Sequence, residues 1–382
     1  MKFEQKDQEL TLFLKGELNS YNADQIEKEI DTTLQGKKFS SLVLNVGEVG
    51  YISSAGLRVV LKLKQKYNDV SVVDASLEVY DIFQMTGFAN IMTVKKALKV
   101  VSVEGAEIIG TGYFSTVYRL DKDTIIKVFN RVSDEEQIER ELRLAKEAFV
   151  LGIPTAISFD IVKVGDKFGV RFEMLDCMSL KTAVLTHPDR ISKYLHSYAE
   201  LLKKINTTEC FNPEVPDAKK FYLQKVEKIK PFLEEKYYLK AKKLLEGVED
   251  RKTFVHGDCH FKNIMLQGDE MILIDMDTLS VGHPIFELAA IYAPYCAFSE
   301  DDPGNSERFF GIKDSDAIAL YNALVNLYLG KEDSAIKDKI RLVCYIHMIW
   351  WNRVNEPENN TRLEGCRKRL CELLDKYNDV KF

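Results

Sequence analysis

The chemistry-bearing stretch of this chain is His256-Gly257-Asp258-Cys259-His260-Phe261-Lys262-Asn263, followed twelve residues after the asparagine by Asp275 in Ile272-Leu273-Ile274-Asp275-Met276-Asp277. A carboxylate, an amide and a second carboxylate at this spacing meet the needs of phosphoryl transfer. Asp258 can accept the proton of an attacking hydroxyl, while the amide oxygen of Asn263 and the carboxylate of Asp275 hold Mg2+ against nucleotide phosphates. The expectation is an ATP-dependent transfer in which His260 touches the γ-phosphate or braces Asp258, and His256 packs the loop. Two histidines four residues apart also suggest a metal pair, but no third ligand accompanies them.

Such a loop needs phosphate-binding elements upstream. Gly110-Thr111-Gly112-Tyr113-Phe114-Ser115 lies between apolar and β-branched runs and reads as two strands joined by a loop whose glycines admit phosphates. Lys127 interrupts an apolar strand, Thr124-Ile125-Ile126-Lys127-Val128-Phe129. A lysine in a strand otherwise suited to burial needs an anionic partner. Residues 134–150 are helical by period, and Glu141 is the partner of choice, with Glu139 and Glu147 as rivals. Residues 158–164 and 169–174 form a hairpin ending in Phe172-Glu173-Met174-Leu175-Asp176, where the backbone of Glu173 and Leu175 could meet an adenine edge.

Residues 180–250 are helix-rich. The mixed Lys/Glu run over 219–243, broken at Pro231, reads as a solvated helix face. Glu300-Asp301-Asp302 would either lower the potential near a cationic, choline-like ligand or form a solvated loop. The apolar run 342–351 is too short to span a bilayer and reads as a buried helix.

The first hundred residues alternate strand and helix, which makes an α/β domain. Residues 10–14 form a half-buried strand with its exit turn at Gly16. A helix capped by Asn22 follows, then a central strand over 41–46, a helix opened by Tyr51-Ile52-Ser53-Ser54-Ala55-Gly56-Leu57, a strand at 70–73 and a helix at 79–83.

At 382 residues the chain exceeds one ordinary core. Its 46% apolar and 29% charged composition is globular, and a net charge of -6 speaks against nucleic acid or an anionic membrane as partner. Seven scattered cysteines without a Cys-x-x-Cys pair, and a start lacking a signal-like apolar core, point to the cytoplasm.

Residues 1 to about 100, with the motif at 51–57, resemble the STAS family of anti-sigma-factor antagonists. In regulated members of that family a serine after an Asp is phosphorylated. Ser54 falls at that position, with Ser53 replacing the Asp, and a phosphate there would sit on free helix amides. Either serine can also simply cap the helix. From about 104 to 382 the chain resembles the aminoglycoside phosphotransferase and choline kinase-like family. Its His-Gly-Asp-x-His-x-x-Asn motif is matched at every fixed position, as is Ile274-Asp275, and Val281-Gly282-His283-Pro284 with Phe286-Glu287-Leu288 matches its downstream turn and helix. The resemblance implies Asp258 as catalytic base, Asn263 and Asp275 as Mg2+ ligands, and Lys127 on the phosphates. Ser115 replaces the third glycine of a protein-kinase loop, and Glu287 stands where relatives often carry Asp.

The expected architecture is therefore an α/β STAS-like domain with a mixed sheet (1–101), then an α+β bilobal protein-kinase-like phosphotransferase with an N-lobe (104–176) and a mostly helical C-lobe (177–382). Gly257 where regulated protein kinases carry arginine, and no Ala-Pro-Glu after Asp275, favour a small hydroxyl-bearing acceptor such as an amino alcohol, aminoglycoside or sugar. The STAS-like domain would bind a protein partner. The alternative is a regulator that phosphorylates a protein, its own Ser54 included, or only senses nucleotide.

Overall fold

The computed structural model describes residues 1–112, 115–130 and 135–377, and of Glu136 only the backbone. Tyr113 and Phe114 of the glycine loop and Asp134 at the expected helix start lie outside these. The chain divides into two compact units, residues 1–102 with 161–166, and residues 103–160 with 167–382.

The first unit is a mixed five-stranded sheet, ordered β1 (Lys2–Lys6), β2 (Glu9–Leu18), β3 (Ser41–Ile52), β4 (Asp69–Ala75), β5 (Thr93–Lys96). Only β1 runs antiparallel to its neighbour. Helices α1 (Ala23–Leu34), α2 (Ser54–Lys66) and α3 (Leu77–Met85) complete the core with Ile30, Val59, Leu63, Val79 and Phe83. The sequence reading missed β1, whose five residues are all exposed and carry no burial pattern. It also ended β2 too early. Gly16, at φ +77°, marks an irregularity in the pairing with β3 rather than an exit turn, and Leu18 beyond it is buried. Asn22 occupies the cap position of α1, but its side chain accepts from Asn19 N–H at 2.9 Å instead of from the helix. Ser53 caps α2, accepting from Ala55 N–H at 3.2 Å, and Ser54 is the exposed first helical residue. A short strand β6 (Lys99–Val100) pairs in parallel with Val162 and Lys163.

In the second unit, β7 (Glu107–Thr111), β8 (Ser115–Arg119) and β9 (Thr124–Phe129) form an antiparallel meander. Across β9 lies β11 (Lys167–Glu173), the partner of β10 (Ser158–Val164) in the expected hairpin, and α4 (Glu135–Val150) connects β9 to β10. Lys127 pairs with Val117 on one side and Val170 on the other, so it is central in the sheet.

The remaining chain is largely helical. After β12 (Met178–Ser179) come α5 (Leu180–Thr186), α6 (Ile191–Thr207), α7 (Ala218–Ile229) and α8 (Glu235–Glu246). Then β13 (Phe254–Val255), β14 (Ile264–Gln267), β15 (Glu270–Leu273) and β16 (Ser280–Val281) pair as two small antiparallel ladders. They are followed by α9 (Ile285–Tyr292), α10 (Phe298–Asp301), α11 (Asn305–Phe310), α12 (Asp314–Leu329), α13 (Ser334–Asn355) and α14 (Asn360–Lys376). The apolar run at 342–351 is the buried stretch of α13. Among the described residues no helix is long and apolar enough to cross a membrane.

Candidate active site

Two short ladders clamp the loop that carries Asp258. β13 delivers the chain into it at His256 and β14 takes it out after Asn263. Gly257 makes the turn at φ +81°, and a Cβ there would sit 3.1 Å from the Thr278 carbonyl oxygen. Arginine at this position, as in regulated protein kinases, would be strained by its backbone alone. Gly257→Ala is accordingly expected to cost about 1–2 kcal/mol and to lower turnover through displacement of Asp258. Denaturant unfolding and steady-state rates on one preparation check this, and unchanged values in both would sink it.

Four groups hold the loop from below. The fully buried Glu287 carboxylate accepts from His256 N–H at 2.5 Å and from Gly257 N–H at 3.3 Å. Thr278 Oγ1 donates to the His256 carbonyl at 2.6 Å, the Tyr198 hydroxyl to the Cys259 carbonyl, and the Tyr295 hydroxyl accepts from Phe261 N–H at 3.1 Å. Burial pushes Glu287 up to about 7 against the pull of the two amides. Glu287 entered the sequence reading only as a motif match, because nothing local to it reveals that its partners lie thirty residues earlier.

Within the loop, Asn263 Nδ2 donates to Asp258 Oδ2 at 2.8 Å and to its carbonyl at 3.0 Å. This spends the donors of the amide on Asp258 and leaves Oδ1 as the end that can ligate. Burial, then the charge of Asp275, raises Asp258 to about 7, while 43% of its side chain still faces solvent. His256 is buried and its Nδ1 accepts from Asp258 N–H at 3.2 Å. His260 stands edge-on to Phe309 and Phe310, its Nε2 3.6 Å from Asp258 Oδ1, beyond hydrogen-bond reach. Burial lowers both imidazoles to about 4, so both are neutral at pH 7.

Asp275, in the left-handed region at φ +66°, receives Lys127 Nζ at 2.7 Å. The same ammonium lies 3.5 Å from Glu141. Burial opposes its charge, but the two carboxylates outweigh that and hold Lys127 above the ordinary lysine range. Glu141 is raised because burial outweighs the nearby lysine. Of its rivals, Glu139 lies 3.9 Å from Arg143.

One cavity of about 860 Å³ gathers this set. Gly110, Gly112, Ser115, Lys127, Glu141, Glu173, Leu175, Asp258, His260, Asn263 and Asp275 all line it, and its size is that of a small-molecule site. The Glu173 N–H is committed to the Ile157 carbonyl at 3.0 Å, so that amide does not serve a base. Ser54 does not line the cavity. Oxygen donors from Asn263 and Asp275 suit Mg2+, which takes one or two protein ligands and fills its shell with phosphate and water. No cluster of three or more His, Cys, Asp or Glu side chains suited to another metal exists among the described residues.

Two sequence expectations are corrected here. Glu300 and Asp301 form neither a cation-attracting surface nor a solvated loop. Glu300 takes hydroxyls from Tyr292 at 2.7 Å and Tyr345 at 2.8 Å and pairs with Arg369, which also pairs with Asp301. Asp302 pairs with Arg308. The run at 219–243 is solvated as expected at Lys220, Glu227, Lys228, Lys230, Glu234, Glu235, Lys236 and Lys243, but not at Lys225, which is only 3% exposed. The alternation of charge that suggested solvent does not say which lysine points inward.

The model of the phosphotransferase enzyme family matches residues 105–306, more than half of the chain. The chain belongs to that family. In this phosphotransferase a STAS domain model matches residues 1–100. The chain is 38% identical over 85 residues to BtrV of Bordetella bronchiseptica, named as an anti-sigma factor antagonist, covering 21% of this chain and 72% of that one. Solved structures similar to the phosphotransferase include a choline/ethanolamine kinase family protein from Mesorhizobium loti, with 13% identity and a TM-score of 0.48, covering 71% of this chain and 88% of that one. An ADP-bound aminoglycoside phosphotransferase is similar at 15% identity and a TM-score of 0.48, over 71% and 96% of the two chains. The fold expected from sequence, a STAS-like α/β domain followed by a kinase-like phosphotransferase, is the one present.

Proposed function

We propose that this phosphotransferase moves the γ-phosphate of ATP to a hydroxyl group of a small molecule. The reading rests on one observation: Asp258, Asn263, Asp275 and Lys127 face one cavity, hydrogen-bonded in two pairs, Asn263 to Asp258 and Lys127 to Asp275, at 2.7–3.0 Å. The acceptor hydroxyl gives its proton to Asp258 as its oxygen bonds to the γ-phosphorus, and the bond to the β-phosphate oxygen breaks to release ADP. Lys127, kept in place by Glu141, exchanges part of its contact with Asp275 for phosphate oxygens, and the Gly110–Gly112 segment admits the phosphates. Asn263 and Asp275 would hold Mg2+, which supplies charge neutralisation along the phosphates. Dependence on ATP fits a cytoplasmic protein. The STAS domain serves as a binding site for a protein partner.

A regulatory reading has its own support in Ser54, exposed at the start of α2 where helix amides favour an anion. Incubation with γ-labelled ATP, Mg2+ and a panel of hydroxyl compounds separates the two. Label in a small molecule, lost in Asp258→Ala and kept in Ser54→Ala, is the expected result. Label in the protein that disappears with Ser54→Ala would overturn the small-molecule reading in favour of self-phosphorylation.

A further inference from the structure

Lys225 is an unusual lysine. It lies on α7 with 3% exposure, its ammonium over the rings of Phe221, Tyr222 and Trp350 at 4.0, 4.3 and 4.8 Å. Among the described residues no carboxylate pairs with it, and its hydrogen bond is to His347 Nδ1 at 2.6 Å. A buried cation without a counter-charge is costly and needs a reason. Burial pulls it down to about 7, which shows how poorly the fold compensates the charge.

His347, on α13, lines the catalytic cavity with Trp351, Phe298, Pro294 and Ala293. With Lys225 as an ammonium, which can only donate, His347 Nδ1 is the acceptor, so the neutral imidazole carries its proton on Nε2 and that nitrogen is a donor. The aromatic members of this wall already hold cations. The Arg362 guanidinium stands over Phe298 at 4.6 Å and Trp351 at 5.8 Å, and Lys262, itself lining the cavity, stands over Phe309 at 4.2 Å.

Among the described residues, the acids lining the cavity are Glu141, Glu173, Asp258 and Asp275. Glu141 and Asp275 face Lys127, Glu173 accepts from Ile157 N–H at 2.7 Å, and Asp258 is the base. Among these residues an ammonium acceptor would find no carboxylate without a partner or a catalytic role, and it would meet ring faces already holding cations.

We infer that the acceptor of this phosphotransferase carries a carboxylate or phosphate besides its hydroxyl, seated on the His347–Trp351 wall, with Lys225 as its buried counter-charge and Lys262 as a second cation. This rests on the proposed phosphotransfer and narrows its acceptor away from amino alcohols and aminoglycosides. Lys225 acts through His347 and is a specificity-determining, not a catalytic, residue.

The test uses the full chain and glycerol derivatives matched in size: glycerate, glycerol 3-phosphate, glycerol and 3-amino-1,2-propanediol, with choline and kanamycin as further cations. Thermal stabilisation is read without nucleotide, and ADP release with Mg2+ and ATP. The acidic compounds should stabilise the protein and the others should not, and comparing glycerate with glycerol 3-phosphate tells carboxylate from phosphate. In Lys225→Met the acidic ligands should bind about ten- to a hundredfold more weakly, with the KM for ATP unchanged and thermal stability equal or higher. A merely structural lysine would instead lower stability and leave acid binding intact. Preference for a cationic compound, no stabilisation by either acid, or wild-type acid binding in Lys225→Met each overturns the inference. Acid-dependent stabilisation without any ATP binding supports the anion site and sinks the phosphotransfer reading alone, so the two failures are told apart.

Discussion

Replacing Asp258 by Asn should lower kcat by about two to four orders of magnitude, the usual contribution of a positioned general base. The substitution keeps the shape of the side chain and an oxygen for the Asn263 amide, now 2.8 Å from Oδ2. It removes the charge and basicity that take the proton while keeping the side chain's shape, so the KM for ATP should stay near wild type. Wild-type turnover in the variant would end the assignment. The pH profile gives a second check. Burial, then Asp275, raises Asp258 to about 7, an effect softened because 43% of the side chain is exposed. A base works only once deprotonated, so kcat/KM should climb as pH rises toward that value and level off above it. The same shift has a sign for stability. The folded-state value lies above the unfolded one, so the favourable contribution is complete below the ordinary carboxylate range and is lost as pH rises through about 7. The Asp258→Asn variant, whose amide does not titrate, should flatten both dependences.

The second large effect is expected at Glu287. Truncation to Ala would strip two amides, the buried His256 N–H and the half-buried Gly257 N–H, of their acceptor at one stroke. Each orphaned donor costs about 1–3 kcal/mol, and the vacated space adds to this, so a loss of about 3–5 kcal/mol is reasonable. Glu287→Gln keeps one acceptor oxygen and should lose about 1–2 kcal/mol. Turnover should fall in the same order, because the carboxylate sets where Asp258 stands without touching substrate. Chemical denaturation alongside kcat/KM for the three proteins provides the measurement. A stable Ala variant with normal rates would show that Thr278, Tyr198 and Tyr295 hold the loop without it.

The parts of this site that could be read in the sequence are those in which chemistry depends on contiguous residues. Asp258 and Asn263 sit five apart in one loop, and Lys127 stands out because its strand is otherwise apolar. The strand and helix order of both units was readable for the same reason, since burial alternates along β2 and repeats along α1 and α4. What could not be read depends on distant partners. Lys225 looks like its solvated neighbours until Phe221, Tyr222, Trp350 and His347 close around it, the last two from another helix. Glu300 and Asp301 look like an acidic patch until Arg369, some seventy residues later, is seen to pair with them both. β1 carries no signal because none of its residues is buried, and Gly16 reads as a stop because a bulge and a turn ask for the same residue.

The contact between Lys127 and Asp275 spans 148 residues, and this separation sets an order of events during synthesis. At roughly 5–20 residues per second, the ribosome delivers Asp275 roughly 7–30 s after Lys127. Glu141, only fourteen residues downstream, arrives almost at once. It is therefore the first counter-ion the lysine meets, and α4 brings it within reach while the rest of the site is still unmade. The glutamate proposed to steady this lysine against phosphates would thus also shelter a bare ammonium in a nascent sheet, and its loss should show as poorer folding yield on translation even where the finished protein still refolds.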